Sequence, residues 1–453
     1  MFGLYKKMER LELDGTPISL ALVGTGTMGA NFAESVGCVP GISLDVASDL
    51  RVDYAVNALK RAGINEGVIE VCETKADAEK ALKSGKKVAT RDFEIACSLN
   101  QVQVVYEATG VPDIYARVGI SAINNKKHYI TMNVEGDVCV GNLMNQWARN
   151  AGVVYTGIYG DEPGCTMLLY SEAKLLGMDV VAIGRSECGG GNLYWNKETI
   201  VPEMKKINFV YENKAMWASF CDGSKTNEEC TMMANATGLR PDVRGMHKPT
   251  ISFEDFVLEV PKRFRPKSEG GILNNVGVVD IINDPKEPCF GVEPNYVWEF
   301  VVVRLETQAQ KEWINEMKGV YDGDTGLLYT PYHYGSVQSP VTVATAVIDK
   351  RAVIAPLEGN KRAADCVTMA KKDLVAGEII DEMGGLCTVG RIECASITRK
   401  ENLLPFALAK GAKLVRDVPK EGFLTYDDVE FEGDETLIQR MRKLQDQLFG
   451  DLH

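Results

Sequence analysis

Near the middle of the chain, the stretch FCDGSKTNEE (220–229) places Lys225 between a tight-turn pair, Asp222-Gly223, and the start of a helix. A cation just outside a helix N-terminus joins the helix dipole and free N–H groups in facing one anionic or carbonyl oxygen. The chemistry this suits is polarisation of a carbonyl, or proton delivery to a forming alkoxide where burial lowers the lysine pKa. Asp222 is either the partner of that lysine or only the cap of the turn. Ser224 adds a hydroxyl beside them for substrate contact. The same stretch reads as a T-x-x-E capping box, Thr226 with Glu229, opening a helix that runs to a stop at Gly238. Capping and catalysis are compatible here.

Other residues could serve the same site. In GDEPG (160–164), Asp161 and Glu162 follow a strand end, where α/β sheets place their ligands. They suit substrate hydroxyls or a divalent cation, and equally a polar turn before a helix opened by Pro163. The chain has four histidines. His247 in RGMHKP and His333 in PYHYGS sit among turn residues, as site groups do, whereas His128 lies in a strand and reads as structural. Gly270 and Gly271 in EGG let backbone N–H groups approach a phosphate or carboxylate, or form a plain turn. Arg185 is the positive charge in GRSECGGGNLYWN (184–196), where Glu187 is negative.

The strongest motif lies near the start. In LALVGTGTMGANFAESVG, Gly24, Gly26 and Gly29 form G-x-G-x-x-G directly after an apolar strand and at the head of a helix. Gly24 permits a tight turn, Gly26 lets the backbone approach a pyrophosphate, and Gly29 lets helix and strand pack closely. Thr25, Thr27 and Met28 complete the loop, whose helix N-terminus faces the phosphates. Asp49 stands at the tip of the next strand, SLDVASD, placed to accept hydrogen bonds from ribose hydroxyls and to repel a 2′-phosphate. That favours NAD. Arg51 could instead neutralise the phosphate, which keeps NADP open.

The elements that must hold these residues alternate. Strand candidates ISLALV (18–23), SLDVAS (43–48), KVAT (87–90), VQVVYE (102–107), HYITM (128–132) and VVYTGI (153–158) are separated by helical patterns such as VGNLMNQWARNAG (140–152). This implies a parallel sheet with helices on both faces, a Rossmann dinucleotide-binding domain over 1–184. A helix at 339–351 suggests that 335–352 rejoins it. Residues 185–334 read as an α+β substrate-binding and oligomerisation domain with strand-like runs at 276–282 and 295–305. Residues 355–453 read as a third domain of short strands, ending in an amphipathic helix (435–450). Within it, AKKDLVAGEIID (370–381) and VRDVPKEGFLTYDDVEF (415–431) look like one phrase used twice.

Composition narrows the partners. A net charge of −13 with 25% charged residues argues against a nucleic-acid surface or an anionic membrane. A small anionic substrate in a local basic pocket remains compatible. The start lacks the apolar core of a signal peptide, and no apolar run reads as a membrane span. Twelve scattered cysteines, none in a C-x-x-C pair, read as thiols rather than a disulfide framework or zinc site. Reducing cytoplasm is the expected compartment.

YEATG (106–110) followed by KKHYITMNVEGDV (126–138) resembles the homoserine-dehydrogenase-like branch of Rossmann oxidoreductases. The resemblance implies cofactor contacts for Thr109, Gly110 and Asn133. Where that branch often carries an Asn-Lys pair, this chain has Asn133-Val134, so the lysine is absent. GDEPG, FCDGSKTNEE, ANATGLRPDVRGMHKP (234–249), EGGILNNVGVVD (269–280) and PYHYGS (331–336) resemble the deoxyxylulose-phosphate-reductoisomerase-like (DRL) family over essentially the whole chain. That family joins a homoserine-dehydrogenase-like core to a C-terminal SAF domain, a β-clip module that the doubled phrase resembles. Its characterised members rearrange a deoxypentulose phosphate to an aldehyde that a nicotinamide hydride then reduces. A lysine-bearing GKGKNNP-like loop expected there is replaced here by GRSECGGGNLYWN, so the substrate transfers less well than the fold.

The expectation is therefore an NAD(P)-dependent oxidoreductase, dimeric or larger, acting on a sugar phosphate or sugar acid, with or without coupled isomerisation. Lys225 is the leading catalytic cation, with Asp222 and His333 beside it. Asp161, Glu162, Arg185, Ser224, His247, Gly270 and Gly271 are expected at the substrate. Two rivals stand beside this reading: a homoserine-type or sugar-acid dehydrogenase without rearrangement, and a non-catalytic NAD-sensing regulator.

Overall fold

The computed structural model describes residues 3–187, 192–200, 213–252, 254–283, 298–316, 320–359 and 361–452. The chain divides into two compact units. The first gathers Met1–Gly164, Tyr334–Glu358 and Thr436–Gln445, and the second Cys165–His333, Gly359–Glu435 and Asp446–His453. Residues 359–435, expected as part of a separate third domain, thus cluster with 165–333. Among the described residues, no helix is long and apolar enough to cross a membrane.

The first unit is built on β1 (Ile18–Val23), β2 (Ile42–Ser48), β3 (Ile69–Val71), β4 (Lys87–Thr90), β5 (Val104–Glu107), β6 (His128–Thr131) and β7 (Tyr155–Gly157). All seven run parallel in the order β3-β4-β2-β1-β5-β6-β7. Every residue of β1 is buried, as a central parallel strand covered on both faces requires. The order reverses between β1 and β5, so the loops after those strands open the crevice where doubly wound sheets bind ligands. Phe32 stacks on Tyr106 with centroids 3.7 Å apart, fixing the helix after β1 against β5. Helix Pro340–Ile348 rejoins this core through Val343, Ala344, Ala346 and Val347.

The second unit holds a mixed sheet of β8 (Asp179–Glu187), β9 (Arg240–Pro241), β10 (Val278–Asn283), β11 (Glu299–Arg304), β12 (Val320–Asp322) and β13 (Thr325–Thr330). Its order is β12-β13-β11-β8-β10-β9. Residues 295–297, the start of one expected strand, lie outside the described residues. Alternation splits the apolar side chains into two cores: Ile183, Val279, Ile281, Val301 and Val303 in one, Ala182, Val278, Ile282, Phe300 and Val302 in the other. The first of these also takes in Cys230, Met233 and Ala234 of helix Ser224–Thr237.

The doubled phrase forms an internal pair. Leu374 N–H donates to Val418 C=O and Val418 N–H to Leu374 C=O, each at 2.9 Å. Ala376 N–H donates to Asp417 at 2.8 Å, and its counterpart Lys420 N–H donates to Asp373 at 2.8 Å. Gly377 to Leu414 and Glu421 to Ala370 repeat the reciprocity. The repeat thus satisfies part of its own backbone reciprocally, and residues outside it, such as Cys387, whose carbonyl accepts from the Lys371 N–H at 2.8 Å, meet other groups.

Candidate active site

In the first unit, the three loop glycines stand where their separate roles require. Gly24 has φ +87, and a Cβ there would lie 2.7 Å from the Ala108 carbonyl carbon and the Thr109 nitrogen. A Cβ on Gly29 would collide with the Gly24 carbonyl, whereas one on Gly26 would meet nothing within 4 Å among the described residues. The open side of the loop is therefore at the pyrophosphate position. A cleft of about 300 Å³ beside it is lined by Gly24, Gly26, Asp49, Arg51 and Thr109, and also by Tyr54, Arg91, Phe93 and Ile114.

Asp49 does more than await a ribose. One carboxylate oxygen accepts from the Thr25 N–H at 2.9 Å and hydroxyl at 3.0 Å, and the other accepts from the Arg51 N–H at 3.0 Å. It ties the glycine loop to the end of β2, while the oxygen bonded to the Arg51 N–H keeps a lone pair for a ribose hydroxyl. The Arg51 guanidinium lies 3.3 Å from the Tyr54 ring centroid, a stacked cation. Thr27, Met28 and Gly29 form the first turn of helix Thr27–Gly37, and Gly110 has φ +66 in the loop after β5. Asn133 caps helix Val134–Ala151 by accepting from the Gly136 N–H at 2.9 Å, and Val134 is buried as that helix's first residue. These residues fit a dinucleotide, with a glycine cradle a Cβ would fill and a helix N-terminus behind it.

Asp161 and Glu162 also belong to the first unit, with Glu162 buried as the first residue of helix Glu162–Leu175. His128 proves structural. Its Nδ1 accepts from the Val154 N–H at 2.9 Å and its Nε2 lies 2.9 Å from Lys350, while burial and that cation lower its pKa to about 4.

The second unit concentrates charge where β8 and β10 end and antiparallel β11 begins, with Glu299 opposite Arg185 and Asn283 opposite Glu187. Helix Ser224–Thr237 stands over this end, its first thirteen residues buried. Gly223, at φ +83, is its N-cap, with no side-chain cap among the described residues. The expected capping box does not form: Thr226 lies inside the first turn, and Glu229 is drawn away to a buried ion pair with Arg185. Lys225 accordingly sits within the first turn, not outside it, and is 7% exposed. A Cβ at Gly223 would strike the Glu187 carboxylate, which is therefore seated against the helix start and pairs with Lys248.

Asp222 resolves into a double anchor. It accepts from the Ser224 N–H at 2.7 Å and from Lys371 Nζ at 2.6 Å. Lys371 also donates to the carbonyls of Trp195 at 2.7 Å and Gly385 at 3.0 Å. The hydroxyl of Ser224 accepts from the Gly390 N–H at 3.0 Å, and Asn227 Oδ1 from the Ile392 N–H at 3.0 Å. Strand Thr388–Cys394 is thereby bonded to the polar flank of the Lys225 helix.

Four expected substrate contacts, Arg185, Gly270, Gly271 and His247, take other partners. The Arg185 guanidinium is committed to Glu229 and the Ser186 carbonyl. The N–H groups of Gly270 and Gly271 close their own turn on Lys267 and Pro266, each at 3.1 Å. The His247 ring is held between Asp280, 2.8 Å from Nδ1, and Asp242, 3.2 Å from Nε2, and the Asp280 bond raises its pKa. His333 Nδ1 lies 3.0 Å from the buried Glu299.

Sequence reasoning missed Arg91, Lys371 and Arg391. Each is distant along the chain from the residues it joins, so no local spacing marks it. Lys248 had a signal within RGMHKP, where Gly245, Met246 and Lys248 take φ of +72, +69 and +55. Two non-glycine residues at positive φ in one loop are the strain that accumulates at functional sites.

The doubly wound parallel sheet with its glycine cradle, together with the family match over the following segment, marks a nicotinamide-dependent oxidoreductase. Residues 160–338 match the family model described as oxidoreductase DRL, catalytic domain. No curated protein matches the chain. Similar solved structures include myo-inositol dehydrogenase from Lactobacillus casei in complex with NAD(H) and myo-inositol, at 12% identity and TM-score 0.38, covering 70% of this chain and 75% of that one. A probable dehydrogenase from Thermotoga maritima matches at 13% identity and TM-score 0.35, covering 69% and 76%.

Proposed function

We propose that this oxidoreductase interconverts a small polyhydroxylated carbonyl compound and its alcohol, a sugar phosphate or a sugar acid, with NAD as the favoured cofactor and NADP accepted less well. The observation that carries this reading is the buried Lys225 in the first turn of a helix inside the matched catalytic segment. When bound, the nicotinamide supplies or accepts the hydride. Gly26 gives the pyrophosphate backbone access, and Asp49 accepts from the ribose. Lys225 faces the developing alkoxide oxygen, stabilising its charge and delivering its proton. Asp222 and Lys371 hold the turn that aims it, and His333 with Glu299 positions substrate hydroxyls. Asp161 and Glu162 are the carboxylates that would take a divalent cation. Resemblance to the DRL reductoisomerases supports a rearrangement before reduction.

Sugar phosphates and sugar acids screened by nicotinamide absorbance test the activity. Lys225→Ala is expected to lower kcat by at least about a hundredfold, within the range of general acid–base contributions, with cofactor affinity kept. Normal turnover in that variant sinks the assignment. NMR of the product separates rearrangement, which changes carbon connectivity, from simple oxidoreduction.

A further inference from the structure

The C-terminal region does more than pack against the Lys225 helix. Arg391, on strand Thr388–Cys394, reaches the same end of the second unit. Its Nη2 donates to the Gly245 carbonyl at 3.0 Å, and the Gly245 N–H donates back to the Ile392 carbonyl at 2.8 Å. The guanidinium lies flat against Gly245, where any Cβ would strike it. Its Nη1 is buried and has no hydrogen-bond partner among the described residues. Buried guanidinium donors are nearly always met, so an unmet one at a charged site calls for a ligand acceptor.

The charges nearby sharpen this. Burial lowers the Arg391 pKa, and the carboxylates of Glu187 and Asp222 oppose that, holding the positive charge without taking Nη1. Those carboxylates are themselves balanced, Glu187 by Lys248 and Asp222 by Lys371. Arg185 and Glu229 cancel each other. Lys225 and Glu228, one of each sign in the same helix, add no net charge. Arg391 is thus a cation whose two nearby carboxylates are each already paired with a lysine.

We propose that Arg391 binds the anionic group of the substrate, a phosphate or carboxylate oxyanion, through Nη1. The C-terminal region thus completes the substrate site from within the same unit. This rests on reading the second unit as the substrate half, yet its test needs no turnover. Calorimetric titration of the full chain with inorganic phosphate, and separately with acetate, at constant ionic strength reads the site directly. Wild type is expected to bind at least one of the two saturably at a single site, the better binder naming the group. Arg391→Gln is expected to weaken that binding at least tenfold, and Arg391→Lys to weaken it less, since the charge stays and the planar fork is lost.

Unchanged affinity in a folded Arg391→Gln protein overturns the proposal, as does the absence of saturable binding of either anion to wild type. A crystal of the unaltered protein soaked in the better-bound anion gives a second, independent test that no variant's folding can cloud. Anion density within hydrogen-bond distance of Arg391 Nη1 supports the site, and density elsewhere only refutes it. If anions bind as expected while no nicotinamide turnover is found, the oxidoreductase reading fails and this one stands.

Discussion

Replacing Lys371 by methionine isolates what the C-terminal region does for the Lys225 turn. Its ammonium bonds to Asp222 at 2.6 Å and to two carbonyls, and both side chains of the pair are almost wholly buried. Methionine keeps most of the apolar stem but strands the Asp222 carboxylate with the Ser224 N–H as its remaining contact in this network. Removing one partner of a buried ion pair costs about 3–5 kcal/mol. For a unit of this size that is a fall in Tm of roughly 6–20 °C. Four of the five tryptophans, Trp195, Trp217, Trp298 and Trp313, lie in the second unit, so intrinsic fluorescence during urea or thermal unfolding reports mainly on it. A second substitution, Asp222→Asn, made in the Lys371→Met background, should recover much of the loss, because no charge then remains buried alone. The pH dependence gives an independent check. Burial raises the Asp222 pKa and Lys371 opposes it, so removing Lys371 raises it further. A carboxyl raised above its unfolded value contributes stability at low pH that is lost as pH rises through the folded value. The deficit of Lys371→Met should therefore be smallest near the unfolded carboxylate pKa of about 4 and grow as pH rises. Stability equal to wild type at neutral pH, or a deficit that does not change with pH, would refute the reasoning.

The glycine loop and the first unit's core offer two more tests. Gly26→Ala meets nothing among the described residues and should fold normally while weakening cofactor binding at least about tenfold, a loss near 1.4 kcal/mol; Gly29→Ala drives a Cβ into the Gly24 carbonyl and should lose stability as well as binding. Calorimetric titration with each cofactor, paired with thermal melts, distinguishes the two, and equal behaviour of both variants counts against the assigned roles. Burial raises the Asp137 pKa to about 7, with the Tyr155 hydroxyl bond opposing. Its contribution to stability is present below the unfolded value of about 4 and is lost as pH rises through 7, so Asp137→Asn should flatten the decline of first-unit stability over that range, as followed by circular dichroism in urea. An unchanged pH profile in that variant would rule out Asp137 as its source.

What the sequence made legible follows from how far each signal reaches. The parallel sheet was readable because its strands are short apolar runs punctuated by turns, and β1 and β4 fall on the expected residues. The loop glycines were readable because all three roles are enacted within six residues. The doubled phrase was readable as a repeat, though its reciprocal bonding needed the structure. At the helix of Lys225 the local rules misled. Thr226 and Glu229 have capping spacing, yet Arg185, far back in the chain, takes Glu229, and the helix begins three residues earlier, at Ser224 with Gly223 as N-cap. A buried arginine bonds more strongly to a carboxylate than a capped N–H does, because both groups are charged and desolvated together. The same long-range competition fixed Asp222 on Lys371 and seated Glu187 against Gly223. The Thr226–Glu229 motif kept its residue types and lost its predicted pairing to a charge from elsewhere in the unit, whereas Asp222 kept its turn and gained Lys371. Candidate residues in such a site are therefore legible one by one, whereas their pairing is a property of the folded charge network. Substitutions that alter one pair should accordingly move its neighbours: Lys371→Met is expected to lower turnover through the Asp222 turn that it holds. Conversely, a Lys371→Met variant that keeps full turnover despite lost stability would show that the turn is held without the pair.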